Sequence, residues 1–195
     1  AISLTGAFFP AIGSGRGAFA TARVALSDDT GVTLGIAQDQ LRDTYDGAGF
    51  APDNWTHSAA VRIDHDTGRS QLGFELGALI EDGGVFSSLA AGGLKLSDQA
   101  TTLWATATSE TALDDRWSLK TSLTIAASGV QHPGSSLVAS LGPVYATSVS
   151  FGVARKNLFA RGDALAIAVG QPLRVEEAPV SLMTGGAIDR ATGAV

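Results

Sequence analysis

Residues 117–127 read WSLKTSLTIAA, and this stretch decides the fold because side chains of two different kinds alternate along it. The larger and mainly apolar set is Trp117, Leu119, Thr121, Leu123 and Ile125. The small or polar set is Ser118, Lys120, Ser122, Thr124 and Ala126. A period of two places each set on its own face of an extended chain, so the stretch predicts a β-strand with one apolar side.

The same alternation recurs along the chain. It is clear at residues 144–154 and 164–170, and weaker at residues 32–36 and 72–76. The runs are separated by turn sequences such as Asp28-Asp29-Thr30-Gly31, Asp66-Thr67-Gly68 and Arg161-Gly162-Asp163. We therefore predict an all-β fold of about eleven strands in antiparallel up-and-down hairpins. Because open sheet edges invite aggregation, the sheet is expected to close into a barrel or fold into a sandwich.

Length and patterning predict one domain over residues 1–195. One connection interrupts the regular spacing: residues 38–57 are polar and contain Gly47, Gly49 and Pro52, so they are interpreted as a long polar loop. Residues 1–10 have no basic region before an apolar stretch, as an intact signal peptide would. We expect any export signal to lie upstream, and the chain to be a piece of a longer protein.

Composition excludes several functional classes. Lys and Arg number 13 against 19 Asp and Glu, and the cations are scattered, which argues against a nucleic-acid partner. There is no cysteine, so disulfides and thiolate metal sites are excluded. Charged residues make up only 16% of the chain, against about 25% in an average soluble protein. No apolar run approaches the length of a membrane-spanning helix.

Candidate catalytic and metal-binding residues are few. The carboxylates of Asp64 and Asp66 flank His65 and are weak candidates for a hard cation, although the ordered spacing of a calcium loop is missing. His132 precedes Pro133-Gly134-Ser135-Ser136, but the nucleophile motif GxSxG is absent and adjacency does not define a triad. We predict no catalytic residues, no cofactor and no metal, and hence a chain that is not itself an enzyme.

The face opposite the large residues is informative. It carries mostly Ala, Ser, Gly and Thr, with occasional Gln71, Glu75 and Lys120, whereas a solvated face normally carries more charge. Small or polar side chains suit a narrow barrel lumen with lipid outside. A soluble sandwich whose sheets share the large residues as a core explains the same alternation. Sparse aromatics, with 2 Tyr, 3 Trp and 8 Phe, weigh against the membrane alternative.

A resemblance rests on three segments: NLFARGDAL at 157–165, QPLRV at 171–175 and DRATGAV at 189–195. They resemble the C-terminal region of subtilisin-like serine peptidases from sphingomonad-type bacteria, which are similar to autotransporters. The likeness is sharp over residues 151–195 and diffuse upstream. Relatives continue through further strands where this chain has DRATGAV.

The resemblance implies a non-catalytic C-terminal β-domain of a secreted peptidase, acting in outer-membrane translocation or surface anchoring. Its partners would be the passenger peptidase domain and the outer membrane, and its location bacterial outer membrane or extracellular. The alternative is a soluble β-module that self-associates, or binds a protein partner, through its sheet edges.

Overall fold

A computed structural model describes residues 17–41, 54–86, 88–89, 96–131, 137–160 and 162–183, without the side chains of residues 40, 41, 54, 88 and 89. The ordered elements among them are all strands, which confirms the predicted all-β class. They are β1 Ala18–Ala25, β2 Thr30–Leu41, β3 Asn54–Asp66, β4 Ser70–Asp82, β5 Gly84–Val85, β6 Ser88–Leu89, β7 Gln99–Ala112, β8 Trp117–Gln131, β9 Val138–Leu141, β10 Val144–Lys156, β11 Ala164–Glu177 and β12 Val180–Leu182.

Eight long strands form one antiparallel sheet in the order β1-β2-β3-β4-β7-β8-β10-β11. Each strand pairs with the next long strand in the chain, which confirms the predicted up-and-down hairpins. The short strands form two small ladders of their own, β5 with β6 and β9 with β12.

The connections differ in length between the two ends of this sheet. The hairpin turns at 26–29, 67–69, 113–116 and 157–163 all lie at one end, which we call the short-turn end. The strand ends joined by residues 42–53, 83–98 and 132–143 all lie at the other end, which we call the long-loop end. Gly68 and Gly162 take positive φ in two of the short turns, as the predicted turn sequences require.

The predicted alternation is confirmed by burial, with the polarity reversed from that of a water-soluble sheet. In β8, Thr124 is 2% exposed, whereas its neighbour Ile125 is 55% exposed. Buried Thr33, Thr56 and Thr106 share the inner face with Thr124. The large apolar side chains therefore lie on the outer face and the small or polar ones inside.

The sheet curls strongly around its inner face. Leu173, on the last long strand, packs against a buried cluster that contains Ala60 and Trp104 from β3 and β7. Arg23 on β1 and Ala168 on β11 line the same cavity. Within the described residues, no ladder joins β1 to β11, and no second sheet of similar size covers the outer face. The architecture is thus a curled open sheet, neither a closed barrel nor a sandwich built on the large side chains.

The predicted loop at residues 38–57 is too long at both ends. β2 continues to Leu41 and β3 starts at Asn54, so only residues 42–53 remain, and these lie outside the described part of the chain. The alternation of apolar and polar residues did not reveal these strand ends, because the residues that face inward there are themselves polar. Asp39 and Thr56 are both buried, and the Thr56 hydroxyl donates to the Asp39 carbonyl at 3.3 Å.

Two leucines on β4 test the sidedness directly. Leu79 is 3% exposed and Leu76 is 46% exposed. We expect Leu79→Ala to lower the free energy of unfolding by about 2–4 kcal/mol, because it leaves a cavity. Leu76→Ala is the matched control and should cost under about 1 kcal/mol in aqueous buffer. Equilibrium denaturation of both variants measures this, and equal losses would contradict the assignment of faces.

Candidate functional site: an apolar outer face around a polar interior

The outer face carries a continuous apolar band. Directly paired residues in an antiparallel sheet point to the same side, so the strand registers define rows across the face. One such row runs from β1 to β10: Val24, Val32, Ile63, Phe74, Ala107, Leu123 and Val149. The next row runs Ala22, Leu34, Val61, Leu76, Ala105 and Ile125. Because neighbouring rows are both apolar, the exposed hydrophobic side chains form one surface rather than scattered patches.

The height of the band can be read along β4, where Leu72, Phe74, Leu76 and Ile80 all face outward and are exposed. At about 3.3 Å per residue, Leu72 and Ile80 are separated by about 26 Å along the strand. A strand tilt of about 40° reduces this to about 20 Å, close to the roughly 25 Å apolar band of outer-membrane proteins. The long strands from β2 onward have 12 to 15 residues, well above the 5–6 typical of soluble sheets.

Polar and aromatic side chains border the band at both ends. Near the short-turn end, the Arg155 guanidinium lies 5.1 Å from the ring centroid of Trp117. Tyr145 lies on the same face of β10, towards the long-loop end. Such amphipathic rings suit a boundary between apolar and aqueous surroundings.

The interior is held together by hydroxyl hydrogen bonds rather than by a large apolar core. Thr106 and Thr124 join β7 to β8 at 2.9 Å, and the Thr102 hydroxyl donates to Ser128 at 3.0 Å. All four side chains are buried. Since a buried hydroxyl without a partner is costly, these pairs fix the register of β7 against β8 from the inside.

An arginine occupies the interior of β3. The Arg62 guanidinium donates to Asp64 and to the Thr108 hydroxyl, at 2.8 Å and 2.9 Å. A Cβ on Gly73 would lie 2.1 Å from its Nη2 atom, so a larger residue there would displace the guanidinium from this position. Glu75 lies directly opposite Arg62 across the β3–β4 pair.

A tryptophan lies deeper in the interior. The Trp104 indole N–H donates to Glu75 at 3.0 Å, and both residues are buried. The ring lies over the backbone of Gly77, where an added Cβ would come 2.1 Å from Cζ2. This large side chain thus depends on a glycine on the neighbouring strand.

The inner face encloses a cavity of about 670 Å³ in its short-turn half. Its lining includes three basic residues, Arg23, Arg62 and Lys120, and the acids Asp64 and Glu110. Lys120 and Glu110 form an ion pair at 2.8 Å. The cavity therefore carries charges of both signs beside apolar residues such as Ala166 and Ala168.

The three weak metal candidates are not brought together. Asp64 faces inward and pairs with Arg62 at 2.8 Å. His65 follows on the opposite face, where its Nδ1 lies 2.9 Å from the Thr30 hydroxyl. Asp66 caps the turn by accepting the Gly68 amide at 2.7 Å. No cluster of three metal-ligating side chains occurs among the residues described. His132 and its neighbouring serines lie outside that part of the chain.

The first segment of the resemblance is a self-contained turn. The Asp163 carboxylate accepts the amides of Leu158, Phe159 and Ala160 at 2.7 to 2.8 Å. Asn157, at a φ of 53°, accepts the Gly162 amide at 2.7 Å. These residues close the β10–β11 hairpin, so their local role is structural.

The second segment, QPLRV, contains a β-bulge. The β10–β11 register shifts between the pair Thr147 and Arg174 and the pair Val149 and Gln171. Pro172, which has no N–H, lies at this irregularity, as is usual for proline in an edge strand. The shift directs Leu173 inward to the Trp104 cluster. The third segment, DRATGAV, lies outside the described residues.

Hydrogen bonds in the short turns lower the pKa of two aspartate side chains. The Ala160 amide contributes most to lowering the pKa of Asp163, with Phe159 and Leu158 adding to it against the loss of solvation. The Arg116 and Trp117 amides likewise lower the pKa of Asp114 in the β7–β8 turn. Both carboxylates are thus favoured in their charged forms.

No protein-family model, curated protein or solved structure matches the chain.

Among the residues described, no helix is long and apolar enough to cross a lipid bilayer.

The turn at 157–163 should loosen on acidification. A lowered folded-state pKa means that the stabilisation is present above the ordinary pKa of an aspartate and is lost as the pH falls through the lowered value. We expect amide hydrogen exchange at Phe159 and Ala160, relative to intrinsic rates, to accelerate over that window. Asp163→Asn should exchange faster at neutral pH and lack the transition. An unchanged profile in this variant would show that the carboxylate does not hold the turn.

Proposed function

We propose that this chain is a non-catalytic β-domain of the bacterial outer membrane, which anchors or exports the rest of a secreted peptidase. The observation that carries the proposal is the sidedness of the eight-stranded sheet. Its outer face is apolar over several adjoining rows, while its inner face is polar and buried.

The energetics favour lipid against the outer face. Removing one large apolar side chain from water contributes about 1.5–3 kcal/mol, and most of the outward residues of β4, β8 and β10 are of this kind. In water such a surface would far exceed the few hundred Å² of contiguous apolar area common on soluble monomers. In a bilayer the same side chains contact acyl chains.

The two ends of the sheet support an orientation. Outer-membrane β-domains have short periplasmic turns and longer extracellular loops. The four short turns at one end and the three longer connections at the other reproduce that asymmetry. In the proposed orientation, residues 26–29, 67–69, 113–116 and 157–163 face the periplasm.

Lipid also sets a requirement at the edges. Backbone groups inside a bilayer must all be hydrogen-bonded, and β1 and β11 each have one free edge among the described ladders. The proposal therefore requires these edges to pair in the membrane, with each other or with further strands of a longer protein. Continuation through further strands is a feature of the peptidases that the segments at 157–175 resemble.

A charge placed at two heights of the band tests membrane insertion. On the outer face, Leu34 lies in a row in the middle of the apolar band, where it pairs with Val61. Gln38 lies on the same strand and the same face but nearer the long-loop end, where it pairs with His57. An arginine in mid-bilayer costs about 2–4 kcal/mol, against about 0–1 kcal/mol near the interface. We expect Leu34→Arg to weaken insertion into phospholipid vesicles strongly and Gln38→Arg to leave it nearly unchanged.

Insertion is measured by folding into vesicles followed by flotation, with protease protection as a second readout. Equal behaviour of the two arginine variants, or a wild-type chain that stays monodisperse in buffer and ignores vesicles, would contradict the proposal.

A second candidate function is favoured by the free edges. Three of the outward residues of β1 are alanines, Ala18, Ala20 and Ala22, and every residue of that strand is exposed. A soluble module could use β1 and β11 to pair with another copy or a partner protein. Sedimentation in detergent-free buffer separates the two: oligomers that grow with concentration favour this candidate, and a strict monomer at high concentration excludes it.

A further inference from the structure

One row of the interior differs from all the others in size. From β2 to β10, the residues paired at this level are Gly35, Ala60, Gly77, Trp104, Ala126 and Ala146, and the row continues to Thr21 on β1 and Val175 on β11. Five of the six are glycine or alanine, and the sixth has the largest side chain of any residue. The small residues leave space in the interior at this level. The indole of Trp104 fills that space, which keeps the interior closely packed there.

The indole is fixed in that space from two sides. Its N–H donates to Glu75, which is fully buried one row nearer the cavity. Its six-membered ring lies against the backbone of Gly77. Leu79 belongs to the same buried cluster as Trp104, and Leu173 on the last long strand packs against that cluster.

A second obstruction lies beyond this row, towards the long-loop end. The carboxylate of Glu81, also fully buried, accepts the amide of Phe86 at 2.9 Å. Phe86 has a φ of 51°, and its side chain packs against the Trp104 cluster. Val85 and Val144 form a buried cluster at the same level.

On the other side of Trp104 the interior is open and polar. The cavity of about 670 Å³ lies there, with Arg62, Asp64 and Lys120 in its lining. The interior therefore changes at one row, from a cavity lined by charged residues to a packed region that includes Trp104, Phe86, Val85 and Val144.

We propose that Trp104, together with Phe86, seals the interior of the curled sheet towards the long-loop end, so that the polar cavity in the short-turn half is separated from that end, and that a path for small hydrophilic solutes along the interior opens only when both rings are displaced. The two buried glutamates, Glu75 and Glu81, act as positioning residues that hold the rings in the seal. The solute passage rests on the proposed membrane location, whereas the seal itself does not.

Quenching of tryptophan fluorescence tests the seal without a membrane. The chain contains Trp55, Trp104 and Trp117, so replacing Trp55 and Trp117 by phenylalanine leaves Trp104 alone. We expect iodide to quench the folded variant several-fold less than the same variant unfolded in guanidinium chloride. Equal iodide quenching of Trp104 in the folded and the unfolded variant would overturn the inference.

Two glycine variants supply a matched comparison in that background. Gly77→Ala puts a methyl group where the indole lies, so the ring must move and iodide quenching should rise with a red shift of emission. Gly129→Ala is the control, because a Cβ there meets nothing within 4 Å. Identical quenching in the two variants would contradict the proposed position of the ring.

Solute passage is measured by release of a small anionic dye from vesicles that carry the reconstituted chain. We expect the wild type and Trp117→Ala to retain the dye, and Trp104→Ala with Phe86→Ala to release it at least about tenfold faster, because an apolar constriction blocks water. Retention by an inserted double variant would overturn the passage. If the wild type does not insert, the membrane proposal fails, while the quenching result still decides the seal.

Discussion

Each residue of a β-strand must place its side chain on one of two faces, and cross-strand pairing forces its neighbours to make the same choice. In this protein that constraint is met across seven of the eight long strands with large apolar residues on the convex side. Because the registers are continuous from β2 to β10, the choice made at Leu123 is the same as that made at Phe74 and Ile63. A slip of one residue in any strand would bury the large side chains in a polar interior.

The interior has to be stabilised without a conventional apolar core. Hydroxyl pairs such as Thr106 and Thr124 satisfy each other's hydrogen bonds, while Gly73 and Gly77 admit Arg62 and Trp104. Burying Glu75 would be costly without a donor, and the indole N–H supplies one. Polar groups thus perform inside this sheet the register-setting role that apolar side chains perform in soluble sheets.

The parts of the fold that the sequence predicted are those where large and small residues strictly alternate. Residues 117–127 and 144–154 do so, and both became strands with the expected faces. The ends of β2 and β3 were missed because residues such as Asp39 and Thr56 face a polar interior and give no hydropathy contrast. The inward position of Trp104 was not predicted either, because it follows Leu103 and two adjacent large residues interrupt the alternation. Its place follows only from the register that sets it against Gly77.

The two free edges have different consequences under the two proposed functions. β11 is exposed along nearly its whole length, and β1 entirely so. In water, such edges invite pairing with other chains, and the apolar face beside them would add to that association. In lipid, unpaired backbone groups are far more costly, so the same edges must be paired before or during insertion. The curl that already brings Arg23 and Ala168 to one cavity lowers the loop-closure cost of joining the first and last strands, which favours a wall completed within one molecule over an open-ended assembly.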